Sequence, residues 1–183
     1  MTPTPVRITD DVRISESWSG RELPGDIVDG RQRVKLTTPV DYRDRTQAGG
    51  ESVILVPAGF VTDFASMPFG VRNLFPALGI YARPSIIHDL LYLIEGDLPN
   101  LLERLQAPRP GKSAAGTPML TPEEITAYLN ITSERPWVNT RRYLRHEADA
   151  VFAEAMQVVG VSAWRRTVMH RAVRMGGGNG WGR

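Results

Sequence analysis

The 183-residue sequence contains no cysteine. Disulfide scaffolds, thiolate zinc sites, iron–sulfur clusters and cysteine nucleophiles are thereby excluded. Histidine is scarce, at three residues, His88, His146 and His170. Any imidazole base or ligand is one of these, and all other chemistry rests on carboxylates, hydroxyls and arginine. Lysine is nearly missing: Lys35 and Lys112 are the only two, and arginine carries the rest of the positive charge. No run approaches the roughly 20 apolar residues that cross a bilayer. The opening Met-Thr-Pro-Thr-Pro-Val-Arg has no apolar stretch of signal-peptide type. These absences predict a chain made in the cytoplasm, with no membrane insertion.

What is present is ordinary globular composition, 42% hydrophobic and 23% charged, enough chain to bury one core. The 17 glycines and 14 prolines predict frequent turns and argue against a coiled coil. The formal charge of +2 is unevenly spread. From Arg141 onward eight arginines face only Glu147, Asp149 and Glu154. Such a basic end suits an anionic partner, but a solvated helix surface explains it as well, and no nucleic-acid motif accompanies it. Nucleic acid is therefore the least favoured partner.

The expected architecture is α+β and a single domain over 1–183. Residues 6–68 read as β-rich: Val6–Ile8, Val12–Ile14, the alternation from Arg33 and Ser52–Val56 are short strands, with turn signals at Ser19-Gly20, Pro24-Gly25 and Asp29-Gly30. A small antiparallel sheet of three to five strands must cover its apolar face. The cover is predicted in about three C-terminal helices. One spans 84–95, with Ile86, Ile87, Leu90, Leu91 and Ile94 apolar; two more fill 140–175, the first stopped at Gly160. Residues 97–139 read as an insertion, a loop plus a short helix opened by Thr121-Pro122-Glu123-Glu124. Within it, Pro110-Gly-Lys112-Ser113 lacks the upstream glycine of a phosphate loop. Residues 176–183 form a Gly-rich tail, frayed unless Trp181 or a partner holds it down.

Three clusters carry chemistry. The first, Val56-Pro-Ala-Gly-Phe60-Val-Thr-Asp63-Phe-Ala-Ser66-Met-Pro68, follows the strongest strand, a usual place for site groups. Asp63 and Ser66 serve there either as reactive groups or as caps for backbone amides. The second, Ile87-His88-Asp89-Leu-Leu91-Tyr92, sets two ionisable residues inside an apolar helix, where each needs a partner. A His-Asp doublet can share a metal, as in His-Asp phosphohydrolases, but no histidine precedes His88 to complete that set. The third, Arg145-His146-Glu147-Ala148-Asp149, places Arg145 and Asp149 four apart on one helix face. An intrahelical ion pair is the simple explanation, yet Phe152 and Met156 share the side of Asp149 and turn that carboxylate inward.

With Val173-Arg174 ahead of Gly176, these blocks resemble the small phage and prophage domain-of-unknown-function family 1353, from about Leu36 to Gly176. Only 97–139 is longer than that family's usual link. The resemblance implies a phage or prophage setting, host-cytoplasmic synthesis with virion association, and no assigned activity. It picks out Asp63, Ser66, His88, Asp89, Arg145 and Asp149. Two functions follow. In the first, a hydrolase-like enzyme, the catalytic set is Asp63, Ser66, His88, Asp89 and Asp149, with Arg145 and Tyr92 binding substrate. His88, Asp63 and Asp149 then hold a divalent metal, or His88 acts as base for Ser66. The substrate is cell-wall peptide or glycan, or a nucleotide. In the second, a virion or tail protein, the same residues form a buried network, Arg145 pairs with Asp149, and other phage structural proteins are the partners.

Overall fold

The computed structural model describes residues 27–28, 31–32, 34–45, 52–62, 82–107, 120–176 and 180–182. The expected strands Val6–Ile8 and Val12–Ile14, and the candidates Asp63 and Ser66, lie outside them. Among the described residues six short strands, β1 (Ile27–Val28), β2 (Arg31–Gln32), β3 (Val34–Lys35), β4 (Val40–Asp44), β5 (Ser52–Val56) and β6 (Val61–Thr62), precede five helices, α1 (Ala82–Leu93), α2 (Leu101–Gln106), α3 (Pro122–Glu134), α4 (Arg145–Val158) and α5 (Ala163–Gly176). The fold is α+β.

Instead of one sheet, the strands form antiparallel pairs: β1 with β2, β3 with β6, and β4 with β5 from Val40↔Val56 to Asp44↔Ser52. The alternation from Arg33 stops pairing as a strand after Lys35, and the bonds from Leu36 N to Phe60 O (2.9 Å) and Gly59 N to Leu36 O (2.8 Å) close the ladder as a turn. β5 is apolar on both faces at Ile54, Leu55 and Val56, all buried, so it lies in the core. Its second edge is covered by the chain after α3. Val138 bridges Val53 in parallel, and Asn139 N donates to Val53 O at 2.9 Å. The Asn139 side chain completes the edge, accepting from Leu55 N at 2.8 Å and donating to Leu55 O at 2.9 Å and to Tyr128 Oη at 2.8 Å.

Helix α1 is apolar nearly all round, as expected of a helix buried among others. It ends where Glu95 and Gly96 turn left-handed (φ 53° and 71°) and Gly96 N reaches back to Leu91 O at 2.8 Å. Within 97–139 the described residues, 97–107 and 120–139, are largely helical. A 3-10 turn (Leu98–Asn100) leads into α2, and α3 starts with a complete capping box, Thr121 Oγ1 accepting from Glu124 N while Glu124 Oε2 accepts from Thr121 N. Leu98, Leu101, Leu105, Leu120 and Tyr128 join the same core as β5 and α1. The two ends of the stretch meet: Asp97 and Arg142 form an antiparallel bridge and an ion pair of 3.0 Å, and Arg104 reaches Asp97 at 3.3 Å.

Helix α4 begins five residues later than expected, at Arg145, because Arg142 and Tyr143 are occupied as extended chain, with Tyr143 N bonded to Gly96 O at 2.9 Å. Glu147 Oε2 then accepts from Leu144 N at 2.7 Å. Gly160, at φ 82°, ends the helix as predicted, and α5 runs back along it, burying Met169, Ala172 and Val173 with Phe152, Met156 and Val161. Helices α1 and α4 pack against each other, so their facing side chains meet without intervening backbone. Among the described residues, no helix is long and apolar enough to cross a membrane.

Candidate functional site

His88 and Tyr92 lie four residues apart on α1, hence one above the other on a single face. That face meets the face of α4 carrying Asp149 and Phe152. The carboxylate oxygen Asp149 Oδ1 receives two polar groups of α1: Tyr92 Oη donates to it at 2.6 Å, and His88 Nε2 lies 3.2 Å away. His88 and Asp149 are each 1% exposed. The imidazole stands between the Tyr92 ring, with centroids 4.1 Å apart, and the Phe152 ring at 4.7 Å. On the far side of Tyr92, Trp181 makes an edge-on contact at 5.1 Å, and Gly182 N donates to the Tyr92 carbonyl at 2.9 Å.

The protonation states follow from burial and bonding. Burial pushes the His88 pKa below its ordinary value, because an imidazolium would be stripped of water; the bond to Asp149 opposes this without overturning it. Burial alone would raise Asp149, but the hydrogen bonds from His88 and Tyr92 prevail and hold its carboxyl below the usual range. Burial, followed by the bond to Asp149, raises the Tyr92 phenol, which stays protonated. The arrangement is thus a neutral imidazole donating from Nε2 to a carboxylate. The other nitrogen, Nδ1, is then a bare lone pair, and it is buried with no hydrogen-bond partner among the described residues. Leaving a buried acceptor unused costs about 1–3 kcal/mol.

Of the residues expected at the site, the structure brings together His88, Tyr92 and Asp149. Asp89 is turned away, as the roughly 100° step between helix neighbours requires: its Oδ2 accepts from Thr62 Oγ1, which ties the end of β6 to α1. Arg145 makes no ion pair with Asp149 and acts on that carboxylate and on Tyr92 only through space. An intrahelical pair is therefore not what engages Asp149. Among the described residues no three His, Asp or Glu side chains group as metal ligands; the third expected ligand, Asp63, lies outside them. His146 is exposed.

Sequence reasoning missed His170, whose charge would bear on His88 from α5, and Arg174, which bears on Tyr92. It also missed a second buried polar cluster. Tyr143 Oη donates to Asp44 Oδ2 at 2.8 Å and lies 2.5 Å from Ser52 Oγ, while Tyr42 Oη donates to Glu154 Oε2 at 2.5 Å, joining β4 to α4. Arg141 covers the Tyr143 ring at 4.8 Å. The signal was weak: Tyr42 stands between Asp41 and Arg43, and Tyr143 fell within the helix expected from 140, so neither marked a buried acceptor.

A protein-family model described as a protein of unknown function matches residues 34–173, which include every described member of this site except Arg174, Trp181 and Gly182. No curated protein and no solved structure matches the chain.

Proposed function

The chain belongs to the DUF1353 family, and from that premise we propose that it is a hydrolase-like enzyme of phages and prophages whose working group is the Nδ1 lone pair of His88. One observation carries this reading. A network built only to join helices satisfies its buried polar atoms, whereas here Asp149 fixes one imidazole nitrogen and the other, Nδ1, has no hydrogen-bond partner among the described residues. Asp149 orients the ring and stabilises the imidazolium that forms when Nδ1 takes a proton; Tyr92 shares the carboxylate and keeps it in place. The proton comes from the attacking hydroxyl, that of Ser66 or of water, and returns to the leaving group as the scissile bond breaks. The bond between Thr62 and Asp89 supports a role for Asp63 and Ser66, because it anchors the residue before Asp63 on the turn of α1 that carries His88. Arg145 supplies positive charge toward an anionic substrate. Cell-wall peptide or glycan and nucleotides are the substrate classes proposed. In a metal-assisted version His88, through Nδ1, and Asp63 would hold a divalent ion, which would supply an acidified water, while Asp149, bonded to Nε2, would orient the ring rather than serve as the third ligand.

A second reading has its own observation. The 1% exposure of both His88 and Asp149 suits a virion or tail protein in which the pair only locks α1 to α4. His88→Gln, Asp149→Asn and Ser66→Ala, each checked for folding by circular dichroism, separate the two. The enzyme reading expects peptidoglycan or nucleotide hydrolysis by the wild type and at least a hundredfold loss in folded His88→Gln. No hydrolysis by the wild type, or full activity in that variant, overturns it. Metal content of the active protein, and activity after chelation, decide between the two enzymatic versions.

A further inference from the structure

We propose that the Trp181–Gly182 segment is a removable seal over the His88 site, so that access to the imidazole is controlled by whether this segment is seated. The inference rests on the enzyme reading only for its purpose; the seal itself stands on contacts. An imidazole that is 1% exposed can meet a substrate or water only if something covering it moves. Among the described residues around it, Phe152 is fully buried in the contact of α4 with α5, and Asp149 in that of α1 with α4. Moving either opens the core. Tyr92 is the ring of the site nearest to solvent, 7% exposed, and what lies on it is Trp181. That segment is held by the edge contact at 5.1 Å and the Gly182 N to Tyr92 O bond at 2.9 Å. Its seat also favours glycine, because Gly182 has φ 76°, a left-handed backbone that other residues adopt only with strain. Lifting this segment uncovers the Tyr92 ring that stacks on His88 at 4.1 Å, so that the imidazole is reached by movement of Tyr92 while the shared core of α1 and α4 stays in place.

The test is the rate at which diethyl pyrocarbonate acylates His88 in the full chain, read by peptide mass spectrometry, with the exposed His146 as the internal standard. An aromatic edge contact corresponds to a population change of about tenfold at the upper end of its usual range. Trp181→Ala is therefore expected to speed His88 acylation about tenfold relative to His146, and Trp181→Phe to restore the slow rate. Gly182→Pro, which removes the N–H bonded to Tyr92 O and cannot adopt the φ of 76° of the seated segment, is expected to speed it as well. Equal His88 rates in wild type, Trp181→Ala and Gly182→Pro overturn the proposal. So does acceleration that matches the global unfolding rate of the same variant. Faster acylation with no hydrolysis of any substrate leaves the seal standing and removes the enzyme reading; hydrolysis with unchanged acylation does the reverse.

Discussion

Lowering the pH should destabilise this protein through His88, well above the range in which carboxylates titrate. The folded state holds the imidazole neutral, since burial lowers its pKa from 6.5, while the unfolded chain protonates it freely below that value. Wherever the unfolded state binds more protons, stability rises with pH; it therefore falls as the pH drops below 6.5, until the folded-state pKa is reached. At pH 5.5, one unit below the unfolded value, a fully excluded proton corresponds to a loss of about 1.4 kcal/mol relative to pH 8. Asp149 does not interfere in this window. Its folded pKa lies below 3.8, so its contribution is complete above 3.8 and is lost only as the pH falls further. The titratable groups facing the ring, Asp149 and Tyr92 in contact and His170 through space, are the same in wild type and in His88→Gln apart from the bond to the ring itself. Urea titrations followed by tryptophan fluorescence at pH 8 and pH 5.5 should move the wild-type midpoint down by roughly 0.5–1.4 M for an ordinary denaturant dependence. His88→Gln keeps an amide donor toward Asp149 and removes the titration, and should show a correspondingly smaller shift. Equal shifts in the two proteins would refute the neutral-imidazole assignment.

Asp149→Ala leaves the Tyr92 hydroxyl and the His88 Nε2 proton buried without their acceptor; a loss of about 2–6 kcal/mol, about 1–3 for each stranded donor, should lower the calorimetric Tm by roughly 4–24 °C, and an unchanged Tm would show that the pair does not bind α1 to α4. Asn139→Ala removes both bonds that its amide makes to Leu55 and the one to Tyr128; the expected cost is about 2–3 kcal/mol, with faster amide exchange at Leu55 as the local signature. Gly96→Ala and Gly160→Ala should differ in size. Both positions have positive φ, but a Cβ at Gly96 would collide with the Tyr143 backbone carbonyl, whereas nothing stands near Gly160. The second should cost about 1–2 kcal/mol and the first clearly more, measured by urea unfolding under identical conditions.

What the sequence made visible is the part that local rules decide. The capping box at Thr121 and the stop at Gly160 are written in adjacent residues, and they stand where predicted. The inward turn of Asp149 was legible too, because Phe152 and Met156 mark the buried side of α4. The late start of α4 was not, since what holds Arg142 and Tyr143 extended is the distant Gly96 and Asp97. For the same reason Asn139 gave no hint of its role, which depends on Leu55 lying beside it. The candidate His88–Asp89 doublet separated by simple helix geometry, with Asp89 engaged by Thr62 instead. Tyr92 was found as a site residue, but its acceptor could be known only once α1 and α4 were placed face to face.

The meeting of Asp97 with Arg142 suggests that everything between them could be replaced by a short link. The covering of β5 says what such a deletion would expose. With Val138 and Asn139 gone, the Val53 carbonyl and both backbone groups of Leu55 would lose their partners along one edge of an apolar strand. An uncovered edge of that kind is a template for a strand from another molecule. Val138 and Asn139 therefore shield an edge open to strand addition as much as they extend the core, and a shortened version must bring its own residue to β5, or a charge beside it, to keep that edge closed.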